Sequence, residues 1–139
     1  MQQLLLHGSP DDRFDASVAL ARQLARTFGA RLHILYTVAD PLSAGWTAEV
    51  SAERLPEVHE AMETEARERL ARLIPDEEQD QLGIELVLRT GPAAQELVRY
   101  TLEHAIDLAI VQARRGDDDD LDLARALLDE GRCAVLVLR

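Results

Sequence analysis

Short apolar runs alternate with longer segments of helical periodicity along the whole chain. Residues 3–7 read Gln-Leu-Leu-Leu-His, and from Phe14 apolar residues recur every three or four positions until Gly29. The short runs are apolar on both faces, which is typical of strands in a parallel sheet covered by helices. The sequence contains no hairpin signal that would join two such runs directly. The alternation therefore predicts a parallel α/β fold.

The pattern predicts five strands and four helices. The predicted strands are residues 3–7, 32–38, 84–88, 108–111 and 134–138, and the predicted helices are residues 15–28, 56–74, 91–104 and 121–130. The buried stripes of the first two helices are expected to contain Phe14, Val18, Ala21, Ala25 and Phe28, and then Val58, Met62, Ala66, Leu70 and Leu73. Residues 39–51 and 75–82 are expected to form loops, the second one acidic. We predict a three-layer, doubly wound, five-stranded parallel sheet with helices on both faces, in a single domain of residues 1–139.

Charge and composition exclude several classes of function. The formal net charge is −11, which opposes binding to nucleic acid or to anionic lipid. All 15 basic residues are arginine, so a phosphate-binding loop of the G-x-x-x-x-G-K type and a lysine nucleophile are excluded. No apolar run approaches the length that crosses a bilayer, and the N-terminus lacks a basic leader. We therefore expect a cytoplasmic protein.

Ligands of doubly wound sheets bind outside the carboxyl ends of the strands, where the strand order reverses. The loops after His7, Val38 and Val111 are the corresponding places in this chain. The last of these loops contains four consecutive aspartates, residues 117–120. Carboxylates are favourable at a helix N-terminus, so a solvated helix start is the simplest interpretation. A divalent metal site is the alternative, but consecutive residues rarely converge on one ion and the alternating calcium-loop pattern is absent.

Other polar residues do not form a recognisable catalytic or metal-binding motif. Ser9, close to His7 and to Asp11, lacks the G-x-S-x-G elbow of a serine hydrolase. His59-Glu60 begins a zinc-helix pattern, but Glu63 occupies the position of the second histidine. The single Cys133 precedes an apolar strand and is expected to be a small buried residue. We predict no catalytic residue and no metal ligand.

Five stretches along the chain carry a likeness to a known family. They are Gly8-Ser9 after the first strand, Thr-Val-Ala-Asp-Pro at 37–41, Thr-Gly-Pro-Ala at 90–93, Asp-Leu-Ala-Ile-Val at 107–111, and Cys-Ala-Val-Leu-Val-Leu-Arg at 133–139. In this order they resemble the universal stress protein family over essentially the whole chain. The last stretch is similar to the family's closing Cys-Pro-Val-Leu-Val-Val-Arg.

The resemblance also indicates that this chain differs from the ATP-binding members of the family. ATP-binding members have an aspartate at the end of the first strand, where this chain has His7, and a G-x2-G-x9-G-S/T motif after the fourth. In this chain the first two glycine positions fall at Gln112 and Arg115, and the Gly-Ser pair falls at Leu121 and Asp122. Glycine allows the backbone to approach phosphate closely, whereas these side chains would lie where phosphates bind. The departure implies that the usual ATP site is lost and that no cofactor is bound.

The resemblance implies a non-catalytic stress-response protein that acts as a homodimer and signals through an unknown protein partner. The dimer is expected to form through the last strand, which consists of Ala134, Val135, Leu136, Val137 and Leu138 and has an unpaired backbone if it lies at the sheet edge. Pairing with a sister domain in place of a second copy is left open.

The alternative function is a nucleotide-binding switch or slow ATPase with a remodelled phosphate loop. Arg114 and Arg115 would then contact phosphate and Val38 would contact adenine. The candidate ligand-binding positions are accordingly His7, Val38, Gln112, Arg114 and Arg115. A response-regulator receiver also fits the order of elements, with Asp11 and Asp12 near the acidic cluster, but its lysine is missing.

Overall fold

A computed structural model of the chain describes residues 2–8, 12–38, 48–114, 116 and 118–139. The described residues form five strands and five helices. They are β1 (Gln3–Gly8), α1 (Asp12–Phe28), β2 (Arg31–Val38), α2 (Ala48–Leu73), α3 (Asp76–Leu82), β3 (Glu85–Thr90), α4 (Ala93–Glu103), β4 (Leu108–Gln112), α5 (Asp118–Glu130) and β5 (Ala134–Leu138). Among these helices, none is both long enough and apolar enough to cross a membrane.

The described strands form one sheet in the order β3-β2-β1-β4-β5, and all neighbouring strands are parallel. Leu4 of β1 is opposite Leu32 of β2 on one side and Leu108 of β4 on the other. The chain therefore starts in the middle of the sheet and extends it in both directions. This arrangement confirms the predicted doubly wound parallel α/β fold.

Successive residues of the central strand are buried on opposite faces of the sheet. Leu4 and Leu6 pack in a cluster with residues of α1 and α2, whereas Leu5 packs with residues of α4 and α5. All three leucines are fully buried. The alternation follows from the two-residue period of a strand, and it gives the three layers that the sequence predicts.

The bounds of most elements differ from the prediction by one to three residues, and two differences are larger. Residues 75–82, expected to be a loop, contain the helix α3, and α2 begins at Ala48 and not at Pro56. The segment before Pro56 is rich in alanine, glutamate, leucine and arginine, all good helix formers. One predicted core residue is also wrong, because Phe28 at the end of α1 is 48% exposed.

The α3 helix is explained by its ends and by a contact with α1. Pro75 precedes it, and three acidic residues occupy its first turn, where the helix dipole favours negative charge. Gly83 ends it in the left-handed conformation with φ of 59°. Glu78 accepts a hydrogen bond at 2.6 Å from Nε of Arg22 and also forms an ion pair with Arg26. The acidic segment is therefore held by two arginines of α1.

Candidate functional site

The candidate site lies at the carboxyl ends of β1, β2 and β4. Because β1 pairs with β2 on one side and with β4 on the other, the strand order reverses between β1 and β4, which is where sheets of this kind bind ligands. His7 of β1, Thr37 of β2 and Gln112 of β4 lie at this edge. These three residues are partly buried.

His7 is held at the switch point by β2. Its Nε2 atom lies 2.8 Å from Oγ1 of Thr37, and the tautomer decides which of the two donates the hydrogen bond. Burial lowers the pKa of His7 to about 4, and the nearby negative charge of Asp120 only partly opposes this effect. The imidazole is therefore neutral at physiological pH and presents no positive charge to an anion.

Gln112 connects the end of β4 to α1. Its side-chain amide Nε2 donates a short hydrogen bond to Oγ of Ser17, which is buried. A cavity of about 430 Å³ lies beside this pair, between α1 and the ends of β4 and β5. The cavity is lined by Ala16, Ser17, Leu20, Gln112, Leu138 and Arg139. The glutamine side chain thus occupies space at the strand end that a glycine would leave open.

Asp120 folds back onto the loop that precedes its own helix. Its Oδ2 atom accepts a hydrogen bond from the backbone N–H of Arg114 at 2.7 Å and another from Arg114 Nε at 3.2 Å. Asp120 is buried, whereas Asp118 and Asp119 are exposed. The run of aspartates is therefore not uniform, since Asp120 is buried and contacts Arg114.

Several sequence-predicted positions fall outside what the structure describes. Ser9, Asp11, Arg115 and Asp117 are not among the described residues, and for Val38 only the backbone is described, at the end of β2. The structure therefore brings together His7, Gln112 and Arg114 of the predicted set around the ends of β1 and β4.

The sequence analysis missed Thr37, Ser17 and the role of Asp120 in this site. Ser17 had a usable signal, since it is a polar residue on the buried stripe of α1 between Phe14 and Val18. The contact of Thr37 with His7 joins two strands, and the contact of Asp120 with Arg114 spans a loop. No local pattern in the sequence indicates either contact. Among the described residues, no group of three or more histidine, cysteine, aspartate or glutamate side chains is placed to hold a metal ion.

His33, which is buried, and His104, which stacks on a tyrosine ring, lie in a separate cluster on the α4 face of the sheet. His33 of β2 lies 2.7 Å from the Tyr100 hydroxyl through Nδ1, and 2.7 Å from Oε1 of Gln3 through Nε2. The Tyr100 ring stacks on His104 with ring centroids 4.0 Å apart. These contacts account for His33 and His104 as structural residues, since both belong to a packed polar network.

The fold defines a doubly wound, parallel α/β protein, and the candidate site lies at the carboxyl ends of its central strands. Residues 7–139 match the family model of the universal stress protein family. The chain therefore belongs to the universal stress protein family. No curated protein sequence matches it significantly.

Solved structures similar to the chain have the same fold at low sequence identity. The universal stress protein UspA from Lactobacillus plantarum matches with a TM-score of 0.73 and 18% identity, over 99% of this chain and 97% of that one. A universal stress protein solved in complex with cAMP matches with a TM-score of 0.62 and 17% identity, over 99% and 96%. A putative universal stress protein from Pseudomonas aeruginosa matches with a TM-score of 0.67 and 21% identity, over 99% of this chain but only 47% of the longer one.

Proposed function

We propose that this member of the universal stress protein family is a non-catalytic protein that works as a homodimer through β5 and does not bind ATP. The observation that carries the proposal is the apolar character of the free sheet edge. We expect the dimer to act by contacting another protein in the cytoplasm, with neither nucleic acid nor a membrane as its partner.

The last strand is at the edge of the described sheet, where its outer backbone groups have no neighbouring strand in the order β3-β2-β1-β4-β5. Val137 of this strand is 40% exposed. An apolar edge strand of this kind is a template for pairing with another strand, and a second copy can supply one across a two-fold axis.

The α5 helix, which packs against β5, also exposes apolar side chains. Leu121 and Leu128 of α5 are seven residues apart, so they share one stripe of the helix, and they are 39% and 67% exposed. Because the stripe is exposed, it does not lie on the side of α5 that packs against α4. The helix that covers the edge strand therefore adds apolar surface to that of Val137.

Comparison with a longer chain supports pairing between two such domains. The Pseudomonas aeruginosa chain has this fold over 47% of its length, so its remainder is long enough for a second domain of equal size. A covalent pair of domains and a dimer of single domains are equivalent ways of placing two copies side by side. The same observation keeps a sister domain as the alternative partner.

The absence of ATP binding is proposed from the side chains at the candidate site. Gln112 and Arg115 stand in the sequence where the ATP-binding motif of the family has glycine, and His7 is neutral. The second candidate function is a nucleotide-binding switch or slow ATPase. The complex of a family member with cAMP favours it, since the fold there holds a cyclic nucleotide.

Sedimentation of the purified protein and of Val137→Asp tests the dimer. We expect a dimer for the original chain and a monomer for the variant, because two like charges would face each other at the edge. Leu102→Asp is the matched control, since Leu102 is a 50% exposed leucine of α4 away from β5. A monomeric original chain, or a Val137→Asp variant as dimeric as the control, would refute the β5 dimer.

Calorimetric titration with ATP, with and without Mg²⁺, and with cAMP tests the ligand part of the proposal. No heat with any of the three supports a role through protein contacts alone. Micromolar binding of either nucleotide would instead establish the second candidate, and release of phosphate from ATP would make it an ATPase.

A further inference from the structure

We infer that the cavity between α1 and the carboxyl ends of β4 and β5 binds a small, mainly apolar molecule that carries one carboxylate, such as a medium-chain fatty acid. The cavity measures about 430 Å³, a volume typical of sites for small organic ligands. The inference goes beyond the proposed function, because it concerns a small molecule and not a protein partner.

The floor of the cavity is formed by two neighbouring residues of the sheet. Gln112 of β4 is opposite Leu138 of β5 in the strand register. Leu138 packs against the core cluster on the α1 face, and the side chain of Gln112 contacts Ser17 of α1 on the same face. The floor is therefore polar at β4 and apolar at β5.

The wall of the cavity is one side of α1. Ala16, Ser17 and Leu20 line the cavity, and their spacing places them on the same side of the helix. The helix packs mainly against β1 and β2, which leaves the α1 face of the edge strand β5 less covered. Because Ala16 presents only a methyl group, open space is left between the helix and Leu138.

The lining matches a ligand whose body is apolar. Leu20 and Leu138 are both only partly buried, so a ligand that covers them removes apolar surface from water. The polar side chains of Ser17 and Gln112 are hydrogen-bonded to each other and carry no charge. An aliphatic chain fits this surface better than the polar groups of a sugar phosphate.

The charge at the opening favours a carboxylate over an amine. Arg139 is the charged residue among those that line the cavity, and it is exposed. Its long side chain can place the guanidinium at the opening, where a carboxylate would form charge-assisted hydrogen bonds. Asp15, the acidic neighbour of Ala16, forms an ion pair with Arg69 at 3.3 Å, so its negative charge is compensated.

The experiment titrates octanoate, and separately the uncharged 1-octanol, into the full chain labelled with ¹³C at its leucine methyl groups. The methyl resonances of Leu20 and Leu138 report on the cavity. Those of Leu128, which is 67% exposed on α5, report on non-specific adsorption to apolar surface.

Two pairs of variants complete the experiment. Ala16→Phe fills the cavity from an exposed position of α1, and Ala19→Phe is its control at an exposed alanine of the same helix outside the cavity lining. Arg139→Gln removes the charge at the opening, and Arg132→Gln is its control at an exposed arginine before β5.

We expect saturable shifts of Leu20 and Leu138 with octanoate in the original chain and in both controls, and none at Leu128. Ala16→Phe should weaken octanoate binding by at least about tenfold, because the excluded ligand no longer buries several of its CH₂ groups. Arg139→Gln should weaken octanoate binding about two- to fivefold, since an exposed ion pair contributes little, and should leave octanol binding unchanged.

Three results would overturn the inference. They are the lack of a saturable shift in the original chain, an equal shift at Leu128, and octanoate binding by Ala16→Phe as tight as that by Ala19→Phe. An octanoate affinity that Arg139→Gln leaves unchanged would refute the carboxylate as part of the ligand. Should Ala16→Phe fail to fold, Arg139→Gln decides the question by the difference between octanoate and octanol.

The proposed dimer fails separately from the cavity site. Val137, the position of the dimer test, is next to Leu138 in the strand, so its side chain points to the opposite face of β5. Octanoate binding to a chain that sediments as a monomer would refute the dimer but not the cavity site. A dimer that does not bind octanoate would refute the cavity site alone.

Discussion

The Nε2 atom of His7 lies 2.8 Å from Oγ1 of Thr37, so a side-chain hydrogen bond joins the carboxyl ends of β1 and β2. The two residues are neighbours only because the strands are parallel and in register, with His7 opposite Leu35. The bond fixes the imidazole at the candidate site in a desolvated position. Protonation of the His7 imidazole would therefore destabilise the folded state.

The first prediction concerns the pH dependence of stability. The pKa of His7 is about 4 in the folded state against an ordinary value of 6.5, so the unfolded state binds more protons between these values. The contribution of His7 to the free energy of unfolding is therefore complete above pH 6.5 and decreases as the pH falls toward 4. NMR of the His7 ring protons should give a midpoint near pH 4, and a midpoint near 6.5 would contradict the desolvated position.

Stability measurements on His7→Gln give the matching test. Urea unfolding between pH 7 and pH 4 should show a smaller loss of stability in this variant than in the original chain. Part of the loss should persist, because burial also lowers the pKa of His33, which acts in the same direction. His59→Gln removes a histidine from α2 and is the control.

The second prediction concerns the close approach of Gly8 and Phe14. A Cβ atom on Gly8 would lie 2.5 Å from Cδ2 of Phe14, whose ring is fully buried and packs against Tyr36 at 5.1 Å between centroids. Gly8→Ala should therefore lower the free energy of unfolding by about 1–3 kcal/mol through overpacking. Urea denaturation measures the change.

A double-variant cycle separates this clash from a general effect of alanine in the strand. Combined with Phe14→Leu, which shortens the side chain, Gly8→Ala should cost less than it does alone. Strictly additive effects would mean that the two side chains do not collide.

The third prediction concerns the hydrogen bonds of His33. Oε1 of Gln3 can only accept, so Nε2 of His33 donates to it, and Nδ1 accepts from the Tyr100 hydroxyl. Burial raises the pKa of Tyr100 to about 12, which keeps this hydroxyl protonated. Tyr100→Phe leaves the Nδ1 acceptor unpaired in the interior and should cost about 1–3 kcal/mol of unfolding free energy.

Replacing both His33 and Tyr100 should cost less free energy of unfolding than the sum of the costs of the two single replacements. In Tyr100→Phe combined with His33→Leu, the Nδ1 acceptor is gone and apolar packing takes its place, while Gln3, which also loses its His33 partner, is only partly buried and can bind water. Thermal unfolding of the three variants gives the comparison. If the double variant lost as much stability as the two single variants together, or more, the hydrogen bond would not be the source of the cost.

The sequence was sufficient for the strands because each is a short apolar run between turn residues, and β5 has the predicted bounds. It was insufficient for α3, because the acidic sequence of this segment is typical of a loop. The helix is stabilised by the contacts of Glu78 with Arg22 and Arg26 of α1, and these residues are far apart in the sequence. Phe28 was predicted to be buried from its spacing alone, but it is the last residue of α1 and lies half-exposed there.

The candidate site was predictable in position but not in detail. Parallel topology alone places His7 and Gln112 at one edge of the sheet. The contact of Asp120 with Arg114 joins residues six positions apart, and four identical aspartates give no sign that Asp120 makes it. Local sequence therefore indicates where to look, and tertiary structure decides which atoms meet.

The central strand β1 contains three consecutive leucines, each fully buried, two on one face of the sheet and one on the other. Shifting this strand by one residue would exchange leucine for leucine in its middle, although such a shift reverses the face of every side chain. Only its ends distinguish the two alignments: Gln3 must reach His33, and Gly8 must lie beneath Phe14. The information that sets the pairing of the first strand therefore resides in its two terminal residues and not in its hydrophobic centre.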